Sequence, residues 1–229
     1  MKKVKLDNQV IWFDESLIPE EQLNYAFEPA YWQEQGKIVG SAMGRGITWF
    51  VELDTMQGAL RHYRRGGLFG KLIEDSYVFI GESKSRSFQE LVLLDRLKKS
   101  GVNVPTPIAA RIVKQGLTYS ADLLSEKVPH AQDLASLLRR HRLSESAYYK
   151  IGNEIRKMHV AQVNHTDLNI HNILIDDQSK VWIIDFDKCN SQSGDAWKQA
   201  NWERLKRSFL KEKAKGAINW DESDWDYLF

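Results

Sequence analysis

His165, Asp167, Leu168 and Asn172 fall into the spacing H-x-D-L-x-x-x-N, and eighteen positions after Asp167 comes Asp185, in the string IIDFD. Magnesium prefers oxygen ligands and binds through one or two carboxylates together with nucleotide phosphates. Asn172 and Asp185 are therefore candidate metal ligands, and Asp167 stands where an incoming hydroxyl must be oriented. These are the parts of metal-assisted phosphoryl transfer. Taken singly, each acid has a plainer reading, with Asp167 capping a turn and Asp185 and Asp187 decorating a strand end. The joint spacing carries the catalytic reading.

The elements that must position these groups are legible around them. NILI and KVWII read as two short strands joined by the turn-forming DDQSK, a hairpin whose antiparallel course brings Asn172 and Asp185 towards each other. AQDLASLLRRH, SESAYYKIGNEIRKMHVAQ and the stretch from Asp195 to about Lys213 have helical patterns. In the last of these, Trp197, Trp202, Leu205, Phe209 and Leu210 are expected to be buried. The exit, INWDESDWDYLF, alternates aromatics with acids and fits either a packed or a flexible tail.

The first half reads mostly as strand. VIWF (10–13) is a short strand, residues 20–35 look helical, and GKIVGS, ITWFVEL, GALRHYR and SYVFIG follow as an antiparallel sheet. From Ser85 the period changes: SRSFQELVLLDRLKKSG is an amphipathic helix ended by Gly101. VPTPIAARIV, prolines first, reads as an edge strand, and LTYSADLL is extended with Asp122 inside it. A boundary near 114–123 divides a sheet-rich N-terminal lobe, 1–118, from a helix-rich C-terminal lobe, 119–229. The fold class is α+β, in two lobes.

With 229 residues, 42% of them hydrophobic, the chain can bury a sizeable core. A net charge of +1 excludes a global polycation, and no groove-binding motif points to nucleic acid. The single cysteine, Cys189, excludes an internal disulfide framework and a thiolate metal cluster. MKKVKLDNQ lacks the apolar core of a signal peptide, and no run approaches the roughly 18 apolar residues of a membrane span. The expectation is a cytoplasmic protein whose membrane association, if any, is peripheral. KKVK, the basic stretch WERLKRSFLKEKAK and the nearby tryptophans are the candidates for contact with an anionic surface, with core packing the better account of most of the tryptophans.

The acid pattern resembles the protein-kinase-like fold. Asp167 matches the catalytic-loop aspartate, Asn172 the metal-binding asparagine and Asp185 the metal-binding aspartate of DFG. The third DFG position is Asp187 instead of glycine, and there is no APE motif or long activation segment. That argues against a phosphorylation-switched loop and a protein acceptor. A narrower resemblance covers nearly the whole chain. ALRHYRRGG (59–67), SRSFQE (85–90), PTPIAAR (105–111), YSADLL (119–124), HTDLNIHNILI (165–175) and VWIIDFDK (181–188), in that order, resemble the Kdo kinases of Gram-negative bacteria, within the lipopolysaccharide core heptose and Kdo kinases. The resemblance implies ATP and Mg2+ as reagents. It implies phosphorylation of the 4-hydroxyl of 3-deoxy-D-manno-octulosonic acid (Kdo) on a lipid A precursor, at the cytoplasmic side of the inner membrane as a peripheral protein. No obligate protein partner is evident.

On the nucleotide side, Arg61 stands where a kinase carries its phosphate-binding lysine, with Glu90 its expected partner. Lys71 and Lys84 are reserves. Gly44 and Gly46, in GSAMGRG (40–46), are candidates to cover phosphates with backbone N–H groups. Arg64, Arg65 and Arg86 suit the sugar carboxylate and lipid phosphates of the implied acceptor. Asn169 is a further acceptor contact, and His165 joins Asp167 as a catalytic candidate, orienting the loop more than acting as a base. The plain reading of RHYRRGG is a solvated, charged turn. Two other kinase readings share this chemistry: a soluble aminoglycoside- or choline-kinase-like enzyme, and a lipopolysaccharide heptose kinase. A kinase-fold scaffold without catalysis has Arg61 in its favour and the complete set of Asp167, Asn172 and Asp185 against it.

Overall fold

A computed structural model of the chain describes residues 1–44, 46–64 and 75–229. The chain divides into two compact units, one of Met1–Val92 with Thr106–Lys127, the other of Leu93–Pro105 with Val128–Phe229.

The first unit is built on an antiparallel sheet. Lys2–Leu6 (β1) and Gln9–Phe13 (β2) form a hairpin. After the short helix Pro29–Glu34 (α1) come Ile38–Met43 (β3), Ile47–Glu52 (β4) and Gln57–His62 (β5), a meander. Tyr77–Val78 (β6) precedes the helix Arg86–Lys99 (α2), and Pro107–Gln115 (β7) turns back into Thr118–Glu126 (β8). The order is β1-β2-β7-β8-β5-β4-β3, with β6 beside β8.

Three expectations change here. VPTPIAARIV is an interior strand: β7 lies between β2 and β8, and Ile108, Ala109, Ala110 and Ile112 are fully buried. Its proline costs no central ladder bond because Pro107 opens the strand and the register shifts between Pro107 and Ala109. Among the described strands the ends of this order are β1 and β3, and on β1 the side chains of Lys2, Lys3 and Lys5 discourage further strand pairing. Residues 20–35 are not one helix. Pro19 and Pro29 punctuate them into a 3-10 turn at Glu20–Gln22 and the six-residue α1, with Pro29 at its first position. The division falls after Lys127 instead of after residue 118, because LTYSADLL pairs along its length with β7 and β5; Leu93–Pro105 belongs to the second unit.

Strand alternation gives the sheet two different faces. Ile11, Phe13, Leu60 and Leu124 pack with Ile18, Leu23, Phe27 and Trp32 from the segment after β2. Burying a side chain such as Phe13 or Leu23 contributes about 2 kcal/mol. The first half of α2 packs on the sheet through Phe88, whose ring lies 4.6 Å from that of Trp12, and through Ser87, which donates to the Arg111 carbonyl.

The second unit is mainly helical. Gln132–Asp133 (β9) leads into Leu134–Arg140 (α3), where Asp133 caps the helix by accepting from Ser136 N–H. Ser144 does the same for Glu145–Val160 (α4) through Ala147 N–H. Val163–Asn164 (β10) precedes the polar loop, and the expected hairpin follows as Ile173–Ile175 (β11) and Val181–Ile183 (β12). Asn190–Ser191 (β13) pairs back with β10, and the chain continues into Ala196–Ala214 (α5). Trp197, Trp202, Leu205 and Phe209 are buried as expected, but Leu210 is 37% exposed, one residue off the stripe that Phe209 ends.

The exit is packed. A 3-10 segment, Glu222–Leu228, lies on α4, and Arg156 donates to the Leu228 carbonyl. Gly152 makes this possible: a Cβ there would sit 1.7 Å from the Leu228 carbonyl oxygen. Arg142 ties the segment down through Asp221 and the buried Asp224.

Candidate active site

The polar loop of the second unit is bracketed by pairing, β10 with β13 before it and β11 with β12 after it. His165 is fully buried, and burial pushes its imidazole down towards the neutral form. Its Nδ1 accepts from Asp167 N–H at 3.3 Å, so Nε2 carries the proton and donates to the Ile184 carbonyl at 3.0 Å. One neutral ring thus joins the loop to the segment after β12 that carries Asp185. Phe186 packs 4.8 Å from that ring and is itself buried.

Asp167 is exposed, while its carbonyl accepts from the side-chain amides of Asn169 and Asn172, both at 2.9 Å. Asn169 also accepts from His171 N–H through Oδ1. Both polar atoms of the Asn169 side chain thus brace the loop. Asn172 is buried, and with its amide nitrogen donating to the Asp167 carbonyl, its side-chain oxygen Oδ1 is the atom that could ligate a cation.

The hairpin register sets Ile173 opposite Ile183, and Ile184 N–H donates to the Asn172 carbonyl at 3.0 Å. Asp185 is the next residue. Its backbone is left-handed, with φ 62°, a conformation short acids tolerate better than most side chains. Asp187, at the third DFG position, is outside that region, and the positive φ falls at Lys188. No backbone demand for glycine exists at 187, which accounts for the departure. The hairpin register thus sets the backbones of Asn172 and Asp185 near each other, and a carboxylate with an amide oxygen is a ligand set that suits magnesium, with nucleotide phosphates completing the shell. Among the described residues, no cluster of three or more His, Cys, Asp or Glu would hold a metal alone.

In the first unit, Arg61 and Glu90 meet. Arg61 Nη2 donates to Glu90 Oε2 at 2.5 Å, and Tyr63 Oη donates to the same oxygen at 2.5 Å. Glu90 is 4% exposed, and the two donors offset part of the cost of burying its carboxylate. The neighbouring His62 turns to the other side of the strand. It contacts Asp122 at 2.7 Å and Asp75 at 3.1 Å, and Asp122 in turn accepts from Arg111 at 2.8 Å. The Asp122 bond raises the His62 pKa.

Gly44 and Gly46 close the β3–β4 turn on themselves: Gly44 N–H donates to the Gly46 carbonyl at 2.9 Å, so that amide is already committed. Arg64 is exposed, and its stem runs along Gly46, where a Cβ would meet Arg64 Cδ at 2.9 Å. Arg86 lies with its guanidinium 4.8 Å from the Tyr77 ring and 5.4 Å from that of Tyr63. Lys84 is exposed in the turn before α2. Arg65 and Lys71 lie outside the described residues.

Sequence reasoning missed Tyr63 and the chain of contacts from His62 through Asp122 to Arg111. Tyr63 was findable, because a residue two along from Arg61 shares its strand face. The His62 network joins β5 to the β7–β8 hairpin, with His62 and Asp122 60 residues apart, and no local spacing announces it.

Comparison with known proteins places the chain. A sequence model of the lipopolysaccharide kinase (Kdo/WaaP) family matches residues 29–229. The 3-deoxy-D-manno-octulosonic acid kinase of Vibrio cholerae serotype O1 is 65% identical over 212 residues, covering 93% of this chain and 90% of that protein. The kinase of the same description from Photobacterium profundum is 54% identical over 228 residues, covering 100% and 96%. That from Haemophilus influenzae is 46% identical over 235 residues, covering 98% and 96%. With its antiparallel sheet unit, its helical unit and the loop and hairpin between β10 and β13, this chain belongs to the lipopolysaccharide kinase (Kdo/WaaP) family.

Proposed function

We propose that the chain phosphorylates the 4-hydroxyl of Kdo carried by a lipid A precursor, using ATP and Mg2+. The coarser statement is secure: it is an ATP-dependent carbohydrate kinase acting on Kdo in lipopolysaccharide biosynthesis. The observation that carries the proposed chemistry is the apposition of Asn172 and Asp185 across one hairpin, with the exposed Asp167 held by the same loop.

In this reading Arg61, held by Glu90, grips nucleotide phosphates, and Asn172 and Asp185 hold magnesium. The ion supplies charge neutralisation on the phosphates when bound. Asp167 accepts a hydrogen bond from the attacking hydroxyl and takes its proton late, as the new O–P bond forms and the bond from the γ-phosphorus to the bridging oxygen of ADP breaks. His165, buried and neutral, positions the loop and moves no proton. Asn169 braces the same loop. Arg64 and Arg65 are assigned to the acceptor's carboxylate and phosphates, and Gly44 and Gly46 form the turn that Arg64 lies along.

The lipid-borne acceptor places the enzyme at the cytoplasmic face of the inner membrane as a peripheral protein. No helix among the described residues is long and apolar enough to cross a membrane. The α5 tryptophans pack inward, and Lys3 and Lys5 pair with Glu82. Among the described residues, exposed cations of α5 such as Lys211 are candidates for lipid contact.

The test offers the purified protein, ATP and magnesium in parallel to a Kdo-bearing lipid A precursor, a heptose-bearing core and soluble amino sugars, then locates phosphate by mass and NMR. Phosphate on the Kdo 4-hydroxyl is the expected result. Phosphate on heptose or on a soluble sugar alone overturns the acceptor assignment.

A further inference from the structure

The inward face of α5 is apolar at Trp197, Leu205 and Phe209, yet two polar residues interrupt it. Asn201 is fully buried, and Ser208, half-buried, follows further along the helix. The spacing from 201 to 208 is close to two helical turns, so both residues fall on one side of α5, about 10 Å apart along its axis. Both reach the loop that carries Asp167. Asn201 Oδ1 accepts from His165 N–H at 3.3 Å, and its Nδ2 donates to Asn164 Oδ1 at 2.8 Å. Ser208 Oγ accepts from Ile170 N–H at 3.1 Å, across 38 residues of sequence. Arg204, about one turn from each, donates to the His165 carbonyl at 3.4 Å. Helix α5 thus holds the loop at His165 and at Ile170, with Asp167 between the two points.

The Ser208 bond has a defined direction. Its hydroxyl proton goes to the Leu205 carbonyl at 2.7 Å, which leaves the lone pairs of Oγ to accept from Ile170. Ile170 is fully buried, so its N–H would be costly to leave without a partner. Its carbonyl accepts from Ala135 N–H of α3 at 3.3 Å. The main chain at Ile170 is therefore fixed from two helices. Leu168 is fully buried as well, while Asp167 beside it is exposed. A loop pinned at His165 alone could turn about that point and carry the Asp167 carboxylate with it. The second pin removes that freedom, and small displacements of a reacting group are costly in rate.

We infer that Ser208 is a positioning residue for phosphoryl transfer: through Ile170 N–H it fixes the far end of the loop, and so the direction in which Asp167 meets the acceptor hydroxyl. The inference rests on the kinase reading above and adds to it a residue from outside the loop and hairpin. Ser208 acts through the main chain and leaves the nucleotide to other residues.

The experiment compares Ser208→Ala and Ser208→Thr with the unaltered full chain, by single-turnover transfer from ATP to the Kdo-bearing lipid acceptor and by direct titration of ATP binding. The alanine variant is expected to transfer about tenfold more slowly, with ATP affinity unchanged. Threonine keeps the hydroxyl and should restore most of the rate. With Asp167→Ala already in place, Ser208→Ala should add almost nothing, because the two residues act through one group. Amide exchange at Ile170, read by NMR, should quicken in the alanine variant and not in the threonine one. If Ser208→Ala does not fold, Ser208→Cys, close in size and a weaker acceptor, takes its place in every comparison. Full-rate transfer by the alanine or cysteine variant overturns the inference. So does a loss that persists undiminished without Asp167, which is what a merely structural role predicts, or an equal loss of ATP affinity. Absence of transfer by the unaltered protein would overturn the kinase reading, and this inference with it.

Discussion

Glu90 of the sheet unit is almost sealed from solvent and takes hydrogen bonds from Arg61 and Tyr63, whereas Asp167 of the helical unit is exposed and held by bonds to its main-chain atoms. The two regions fix their functional groups by opposite means. In the clamp, charged side chains hold one another, so removing one leaves a buried charge uncompensated. In the loop and hairpin, a neutral histidine, two asparagines and strand register hold the backbone. A carboxylate there can be changed with little cost to the scaffold. Stability and function should therefore be coupled in the first region and separable in the second.

The largest effect should come from the hairpin. Asp185→Asn removes a charge from the proposed metal-binding position and is expected to lower turnover by about a thousandfold or more, with melting temperature scarcely changed. Normal turnover at saturating magnesium would remove Asp185 from that role. In the clamp, Arg61→Ala should impair ATP use and also cost about 3 kcal/mol of stability, since Glu90 stays buried beside one donor fewer. Urea unfolding alongside ATP titration reads both. Arg64→Ala, at an exposed position, should chiefly raise the acceptor requirement and leave stability alone. A reversal of the two arginine phenotypes would mean that the strand register of the clamp has been misjudged.

The histidines sharpen the same contrast through pH. The bond from Asp122 raises the pKa of His62 in the sheet unit. Its contribution to stability is full below the unfolded value near 6.5 and is lost as pH rises through the raised one. His159 in the helical unit is pushed down to about 4 by burial. Its contribution is full above 6.5 and is lost as pH falls from there to about 4. Unfolding by urea across that range should show His62→Gln costing most at the acid end and His159→Gln flattening the acid-side loss. The smallest effect concerns the tail. Gly152→Ala must displace the Leu228 carbonyl and should cost about 1–3 kcal/mol, with activity retained below the melting point.

What the sequence made legible follows the same division. The loop, hairpin and acids lie within twenty-three consecutive residues, so spacing alone brought Asp167, Asn172 and Asp185 together. Arg61 and Glu90 were paired correctly because a strand and a helix of ordinary period carry them. Asp122 was visible inside an apolar run, yet its partners His62 and Arg111 come from two other strands, so pattern alone gave it no task. The prolines of VPTPIAARIV point to an edge because they forbid ladder bonds, but Pro107 sits where the strand begins. The β1 strand is hidden in the sequence because KKVKL reads as charge before it reads as alternation.

The central claim is that the exposed Asp167, held by its loop, handles the acceptor hydroxyl while other residues hold the nucleotide. Single-turnover transfer from ATP to the Kdo-bearing lipid acceptor by Asp167→Ala, measured beside a direct titration of ATP binding, tests it. The account predicts ATP affinity close to that of the unaltered protein and transfer slowed by about a hundredfold or more. Transfer to the Kdo acceptor at the unaltered rate would contradict it.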